Sequence, residues 1–105
     1  MTRSVDVVIV GGSAAVMAAT IDAIGRGLRV LVVIRPERLG LARRLRQAVR
    51  RAGMLAPRQL TVLTGAEVVC VDGVRSIEAV LVRHVRTGRL MAFNASAVAC
   101  TPEHA

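Results

Sequence analysis

A run of β-branched residues that stops at two glycines and gives way to alanine-rich sequence leaves a chain few ways to fold. Val5 to Val10 reads Val-Asp-Val-Val-Ile-Val, Gly11-Gly12-Ser13 interrupts it, and an Ala-rich stretch continues to about Gly25. The order is strand, tight turn, helix. Gly25-Arg26-Gly27 ends the helix, and Arg29 to Ile34 forms a second apolar strand that Arg35-Pro36 stops. Together these segments predict a βαβ unit of about thirty residues, with parallel strands and a right-handed connection.

Beyond it, Leu41, Leu45, Ala48, Val49 and Ala52 recur at helical spacing between Gly40 and Ala52, with Arg43, Arg44, Arg46, Arg50 and Arg51 on the other faces. Gly53 closes this helix, and Leu60 to Leu63 reads as a third strand. The pattern then changes. Glu67 to Val71, Ile77 to Arg86 and Arg89 to Asn94 are short strands joined at Asp72-Gly73 and Thr87-Gly88, which predicts an antiparallel meander within about 66–94. Ala97 to Cys100 supplies a last short strand. The core has one aromatic residue, Phe93, and is otherwise Val, Ala and Leu, which suits a parallel sheet buried on both faces. The expected fold class is therefore α/β: a Rossmann-like three-layer unit with a parallel sheet of about four strands and a meander on one face.

A chain of 105 residues is one domain, 1–105, with no room for a separate substrate domain. The first helix is apolar nearly all round, from Ala15 to Ile24, with Asp22 as its charged residue. One sheet covers one face only, so the other is expected to meet a second domain or another copy of the chain.

All fifteen basic residues are Arg, and against seven acids they give a net charge of +8. Charge of this kind attracts nucleic acid or acidic surfaces. Against a nucleic-acid partner, the stacking aromatics of single-strand recognition are absent. The Arg-rich second helix reads as a solvated face or, failing that, a docking surface for an acidic partner. Cys70 and Cys100 form no Cys-x-x-Cys pair and read as small buried strand residues, with no metal site. His84 has no carboxylate nearby in sequence, so no catalytic role is assigned to it. The uncharged stretch Val7 to Ile21 spans fifteen residues, short of the ~20 that cross a bilayer, so no membrane association is expected and a cytoplasmic location is.

A helix that follows a Gly-rich turn offers backbone N–H groups and the positive end of its dipole to a phosphate. Gly11 to Val16 occupies such a turn. Asp6-Val-Val-Ile-Val-Gly-Gly-Ser-Ala-Ala-Val-Met-Ala-Ala, with Gly27-Leu-Arg-Val-Leu-Val-Val after the helix, resembles the dinucleotide fingerprint of the FAD/NAD(P)-binding flavoprotein oxidoreductases, the thioredoxin-reductase-like (pyridine nucleotide-disulfide oxidoreductase) enzymes among them. In that family a three-stranded meander replaces the usual crossover helix and leads into a strand ending in Ala-Thr-Gly. Ala66 to Phe93 would be the meander, and Cys100-Thr101-Pro102 stands at the Ala-Thr-Gly position, so the resemblance runs from Val5 to Pro102.

Departures from the fingerprint matter as much. Against Gly-x-Gly-x-x-Gly the chain has Gly11, Ser13 and Val16, so only the turn glycine survives. Ser13 adds a Cβ where the pyrophosphate approaches, and Val16 puts a branched side chain where the helix should press on the strand, which is expected to widen the phosphate site. The acid that would hold the ribose hydroxyls falls at Ile34. Immediately after it stand Arg35 and Arg38, and in the NADPH-binding domains of these enzymes an Arg-rich segment at this point grips the 2′-phosphate. A missing acid and a present Arg35 favour a phosphorylated ribose, whereas the Ala-rich helix and Gly27-Leu-Arg pattern look more like the FAD-binding half.

The resemblance implies a dinucleotide-binding module, for FAD or NADP(H), of an FAD/NAD(P)-dependent oxidoreductase, incomplete or reduced and active only when completed by a second domain or subunit. Its cofactor-binding candidates are Gly11, Gly12, Ser13, Ala14 and Ala15 around the pyrophosphate, Ile34, Arg35 and Arg38 near the adenosine ribose, and Thr101. No catalytic residue is assigned, because in that family the cofactors carry the chemistry. The competing expectation is a degenerate Rossmann-like unit that has lost its ligand and works through protein interaction, as a homo-oligomer or against a flavoprotein partner.

Overall fold

The computed structural model describes residues 3–11, 15–53, 59–73 and 77–100, apart from the Leu39 side chain. Its elements run β1 (Arg3–Ser4), β2 (Val7–Val10), α1 (Ala15–Gly25), β3 (Val30–Ile34), a 3-10 turn (Pro36–Arg38), α2 (Leu39–Arg51), β4 (Leu60–Thr64), β5 (Ala66–Asp72), β6 (Ala79–His84), β7 (Leu90–Asn94) and β8 (Ala97–Cys100).

Strands β4-β3-β2-β8 form a parallel sheet in that spatial order, and β1-β7-β6-β5 form a second sheet in which β5, β6 and β7 are antiparallel. Between β4 and β8, where a crossover helix would ordinarily run, the chain forms this meander, as the sequence predicts. The alternation of side chains along a strand explains the layering. Ile9, Val30, Val32 and Ile34 face one way, into a core with Val16, Ile24, Leu41, Leu45 and Val49 of the two helices. Val8, Leu31 and Val33 face the other way, into a second core with Val80, Val82 and Phe93 of the meander. Strand β3 feeds both cores and is buried along its whole length, which is why its sequence is an unbroken apolar run. The only aromatic residue of the chain, Phe93, is 3% exposed in the second core.

Val5 to Val10, expected to be one strand, is shortened to Val7–Val10, and a separate short strand precedes it. Arg3–Ser4 pairs in parallel with Phe93–Asn94 of the meander sheet, and Val7–Val10 pairs with β3 and β8 of the other. Asp6 makes the switch. Its backbone N–H donates to the Arg29 carbonyl at 2.9 Å, while its Oδ2 accepts the Arg29 backbone N–H at 2.7 Å. One residue thereby fixes the gap between β2 and β3 and hands the chain from sheet to sheet.

Strand β6 is shorter than the expected Ile77 to Arg86, because the ladder ends in a hairpin turn. The Val85 N–H donates to the Gly65 carbonyl, and Nδ1 of His84 accepts the Thr87 N–H at 3.3 Å. Gly65 is the single residue between β4 and β5 and sits at φ +64°, a conformation that costs glycine little; this is how the chain leaves the parallel sheet within one residue.

Helix α1 packs on β2 and β3 and also against α2. Val16, Thr20, Ala23 and Ile24 are buried, Met17, Ala19 and Ile21 pack partly against the same core, and Ala18, Asp22 and Gly25 are exposed. Helix α2 thus takes one flank of the apolar surface that the sequence leaves unassigned.

Candidate functional site

The parallel strands converge on one edge. The register pairs Val10 with Val33 on one side and with Cys100 on the other, so these three lie level, and Gly11 and Ile34 follow them at the C-terminal ends of β2 and β3. Helix α1 starts behind this edge at Ala15, with no acid in its first turn to neutralise the positive end of its dipole. In open α/β sheets a ligand binds in the crevice beyond these strand ends.

Of the predicted residues, Gly11 is buried at the end of β2, and Ala15 is half-buried as the first residue of α1. Gly12, Ser13, Ala14 and Thr101 lie outside the described residues. Val16, at the third fingerprint position, is 0% exposed and belongs to the helix-side core. Its branched side chain is accommodated in the packing between helix and sheet.

Ile34 is likewise completely buried, packed with Leu41 and Leu45 of α2. Its side chain serves the core and has no polar atom to offer a ribose. Arg35 follows at the surface, and its Nη1 lies 3.9 Å from Oε1 of Glu37. The Arg38 N–H donates to the Arg35 carbonyl at 3.0 Å, which closes a turn and brings Arg35, Glu37 and Arg38 together at the β3–α2 corner. Glu37 escaped the sequence reasoning because it stands three positions beyond the expected acid; in the structure it is the counter-charge that any anion on Arg35 must displace. Arg38 is exposed, and its side chain makes no capping bond to α2.

Several other polar groups have structural partners. His84 is held at the hairpin turn, with Nδ1 also 3.1 Å from Thr87 Oγ1. Arg83 pairs across the strands with Glu67, and Arg26 with Asp22 one helical turn away. Asp6 has its carboxyl held below the ordinary carboxylate range, chiefly by the Arg29 backbone N–H and then by the Arg29 side chain. Cys70 and Cys100, expected to be buried, are both exposed and free. Strand β5 is an edge of the meander sheet and β8 an edge of the parallel sheet, so neither cysteine has a neighbouring strand on its far side among the described residues. No group of three metal-ligating side chains occurs among the described residues, and no helix among them is long and apolar enough to cross a membrane.

No family model matches the sequence, and no curated protein does. Solved structures do. Thioredoxin reductase from Streptococcus pyogenes MGAS5005 superposes with a TM-score of 0.71 at 22% identity, over 96% of this chain and 32% of that one. Thioredoxin reductase from Giardia duodenalis gives 0.69 at 15% identity, over 95% and 31%. The rebeccamycin biosynthetic enzyme RebC with reduced flavin gives 0.62 at 16% identity, over 95% and 33%. The chain spans about a third of each of these proteins. With the meander in place of a crossover helix and β8 returning beside β2, the fold is the thioredoxin-reductase-like dinucleotide-binding fold.

Proposed function

We propose that the chain is a dinucleotide-binding module, for NADP(H) or FAD, of an oxidoreductase completed by a second domain or subunit. The observation that carries this reading is the shared edge: Gly11, the start of α1 and the Arg35–Arg38 turn stand at the C-terminal ends of adjacent parallel strands, where this fold places a nucleotide. Solved structures with the same fold include thioredoxin reductases and a RebC structure holding reduced flavin, which supports a flavin or nicotinamide dinucleotide as the ligand class.

Within that reading, Gly11 lets the backbone approach the pyrophosphate, the α1 dipole offsets its charge, and Arg35 with Arg38 holds the adenosine end. A buried Ile34 and an exposed Arg35 favour a ribose bearing a 2′-phosphate over a free diol. The cofactor, when bound, supplies the hydride chemistry; this chain binds and orients it.

Two observations favour the second reading, a ligand-free interaction module. Val16 and Ile34 replace residues on which binding in this fold depends, and both are built into the core. One experiment separates the two. The purified protein is inspected for flavin absorbance, then titrated with NADPH, NADH and FAD while its melting temperature is followed. At a hundred times its Kd a ligand stabilises the folded state by about 2.7 kcal/mol. A bound flavin or a shift with one dinucleotide sustains the first reading. Indifference to all three, with assembly that fails when Met17 is made charged, replaces it with the second.

A further inference from the structure

Four carboxylates hold a cation beside them: Asp6 with Arg29, Asp22 with Arg26, Glu37 with Arg35 and Glu67 with Arg83. Arg3, Arg38, Arg86 and Arg89 have no such partner among the described residues but are scattered over the surface, whereas helix α2 gathers its cations on one element. It carries Arg43, Arg44, Arg46, Arg50 and Arg51, all exposed, and the sequence has no Asp or Glu between Glu37 and Glu67. Among the described residues no carboxylate lies within ion-pair distance of these five. Arg43 and Arg46, and Arg46 and Arg50, stand three and four apart, where like charges are neighbours and repel. The helix dipole compensates only Arg50 and Arg51, in the last turn. An isolated helix gains nothing from this arrangement; a polyanion lying against it removes the repulsion.

The chemistry of that polyanion follows from the rest of the helix. Leu41, Ala42, Leu45 and Val49 are buried in the protein's own core, so the described side chains of α2 leave no apolar face to insert into a bilayer. A single strand calls for stacking aromatics, and the only aromatic residue, Phe93, is 3% exposed. The narrow major groove of A-form RNA does not admit side chains. The B-form major groove, about 12 Å wide, does admit a helix. At 3.6 residues per turn, Arg43, Gln47 and Arg50 occupy the middle of an exposed arc of about 160°, with Arg46 on one flank and Arg44 and Arg51 on the other. Such an arc sets cations toward both phosphate rims and places Arg and Gln, the residues that read purine edges, between them. We propose that the outer face of α2 binds B-form duplex DNA, chiefly through its phosphates.

The test is fluorescence anisotropy with a short labelled DNA duplex over a range of salt. Three phosphate contacts, from Arg44, Arg46 and Arg51, give a slope of log K against log salt of about −2.7, an affinity loss of roughly 40-fold between about 50 and 200 mM. Replacing both Arg44→Gln and Arg46→Gln should make the slope shallower by about 2, while Arg86→Gln with Arg89→Gln on the meander hairpin should leave it unchanged. Arg35 and Arg38 stay intact throughout, so dinucleotide titration of the same proteins reports separately, and melting curves confirm that each variant folds. Absence of binding at about 50 mM salt, an equal loss in the hairpin variant, or tighter binding to a single strand or to anionic lipid vesicles than to the duplex would each overturn the proposal.

Discussion

Restoring the acid usual in this fold, Ile34→Glu, should damage the protein rather than improve a ribose site. Ile34 is 0% exposed among Ile9, Leu41 and Leu45, so the change removes a fully buried aliphatic side chain, an effect of about 2–5 kcal/mol. It also buries a carboxylate with no cation arranged for it, which costs several kcal/mol more. The combined loss is comparable with the whole stability of a domain this size, about 5–15 kcal/mol. At about 4–8 °C per kcal/mol, the variant should melt at least 20 °C below wild type at pH 7, or fail to fold. The pH dependence is diagnostic. Burial raises the folded-state pKa of the new Glu above its unfolded value of about 4.3, so the charge penalty is absent below that value and grows as pH rises through the folded pKa. Melting curves of variant and wild type from pH 4.5 to 8 should therefore diverge as pH rises, with Ile34→Leu as a control that costs under about 1.5 kcal/mol. A variant that melts within a few degrees of wild type at every pH and gains affinity for NADH would refute the reasoning, because residue 34 would then reach the ligand edge.

Other predictions follow from single groups. The Thr20 hydroxyl is buried without a hydrogen-bond partner among the described residues, so Thr20→Val should stabilise by about 1 kcal/mol and raise the melting temperature by about 4–8 °C; a lower one would show that the hydroxyl is satisfied. Arg35→Ala should weaken NADPH binding at least tenfold, from the loss of about 1.5–3 kcal/mol of charge-assisted bonding, and leave NADH unaffected in the same calorimetric titration. The Arg29 N–H and side chain lower the pKa of Asp6, so the stability they confer is present above the unfolded Asp pKa of about 3.9 and lost as pH falls through the folded value. Chemical denaturation in acid should show that limb in wild type and a flatter one in Asp6→Asn.

The βαβ unit, the meander and β8 were legible because long apolar runs and glycine breaks are local signals. Burial of β3 on both faces was legible too, from its unbroken apolar run. Strand β1 was not: Arg3 and Ser4 have no strand pattern of their own and become one only because Phe93 and Asn94 lie beside them. The exposure of Cys70 and Cys100 was hidden for a related reason, since being an edge strand is a property of sheet order and leaves no mark on composition. At the candidate site, spacing put Ile34 at the ribose position along the chain, yet the inward aim of its side chain depends on where α2 packs. The Arg35–Glu37 pair needed the turn at Pro36 to close before the two residues met.

Strand β2 lies between β3 and β8, and its register partners in β8 are ninety positions further along the chain, Val7 against Ala97. Contacts of that span form slowly, because the closing of a long loop must precede any gain from them. During synthesis the first helix and its two strands leave the ribosome with one flank of β2 bare. That flank stays an open template for stray pairing until residue 100 has been added and β8 can seal it. The longer that closure takes, the longer β2 is open to pairing with the wrong neighbour.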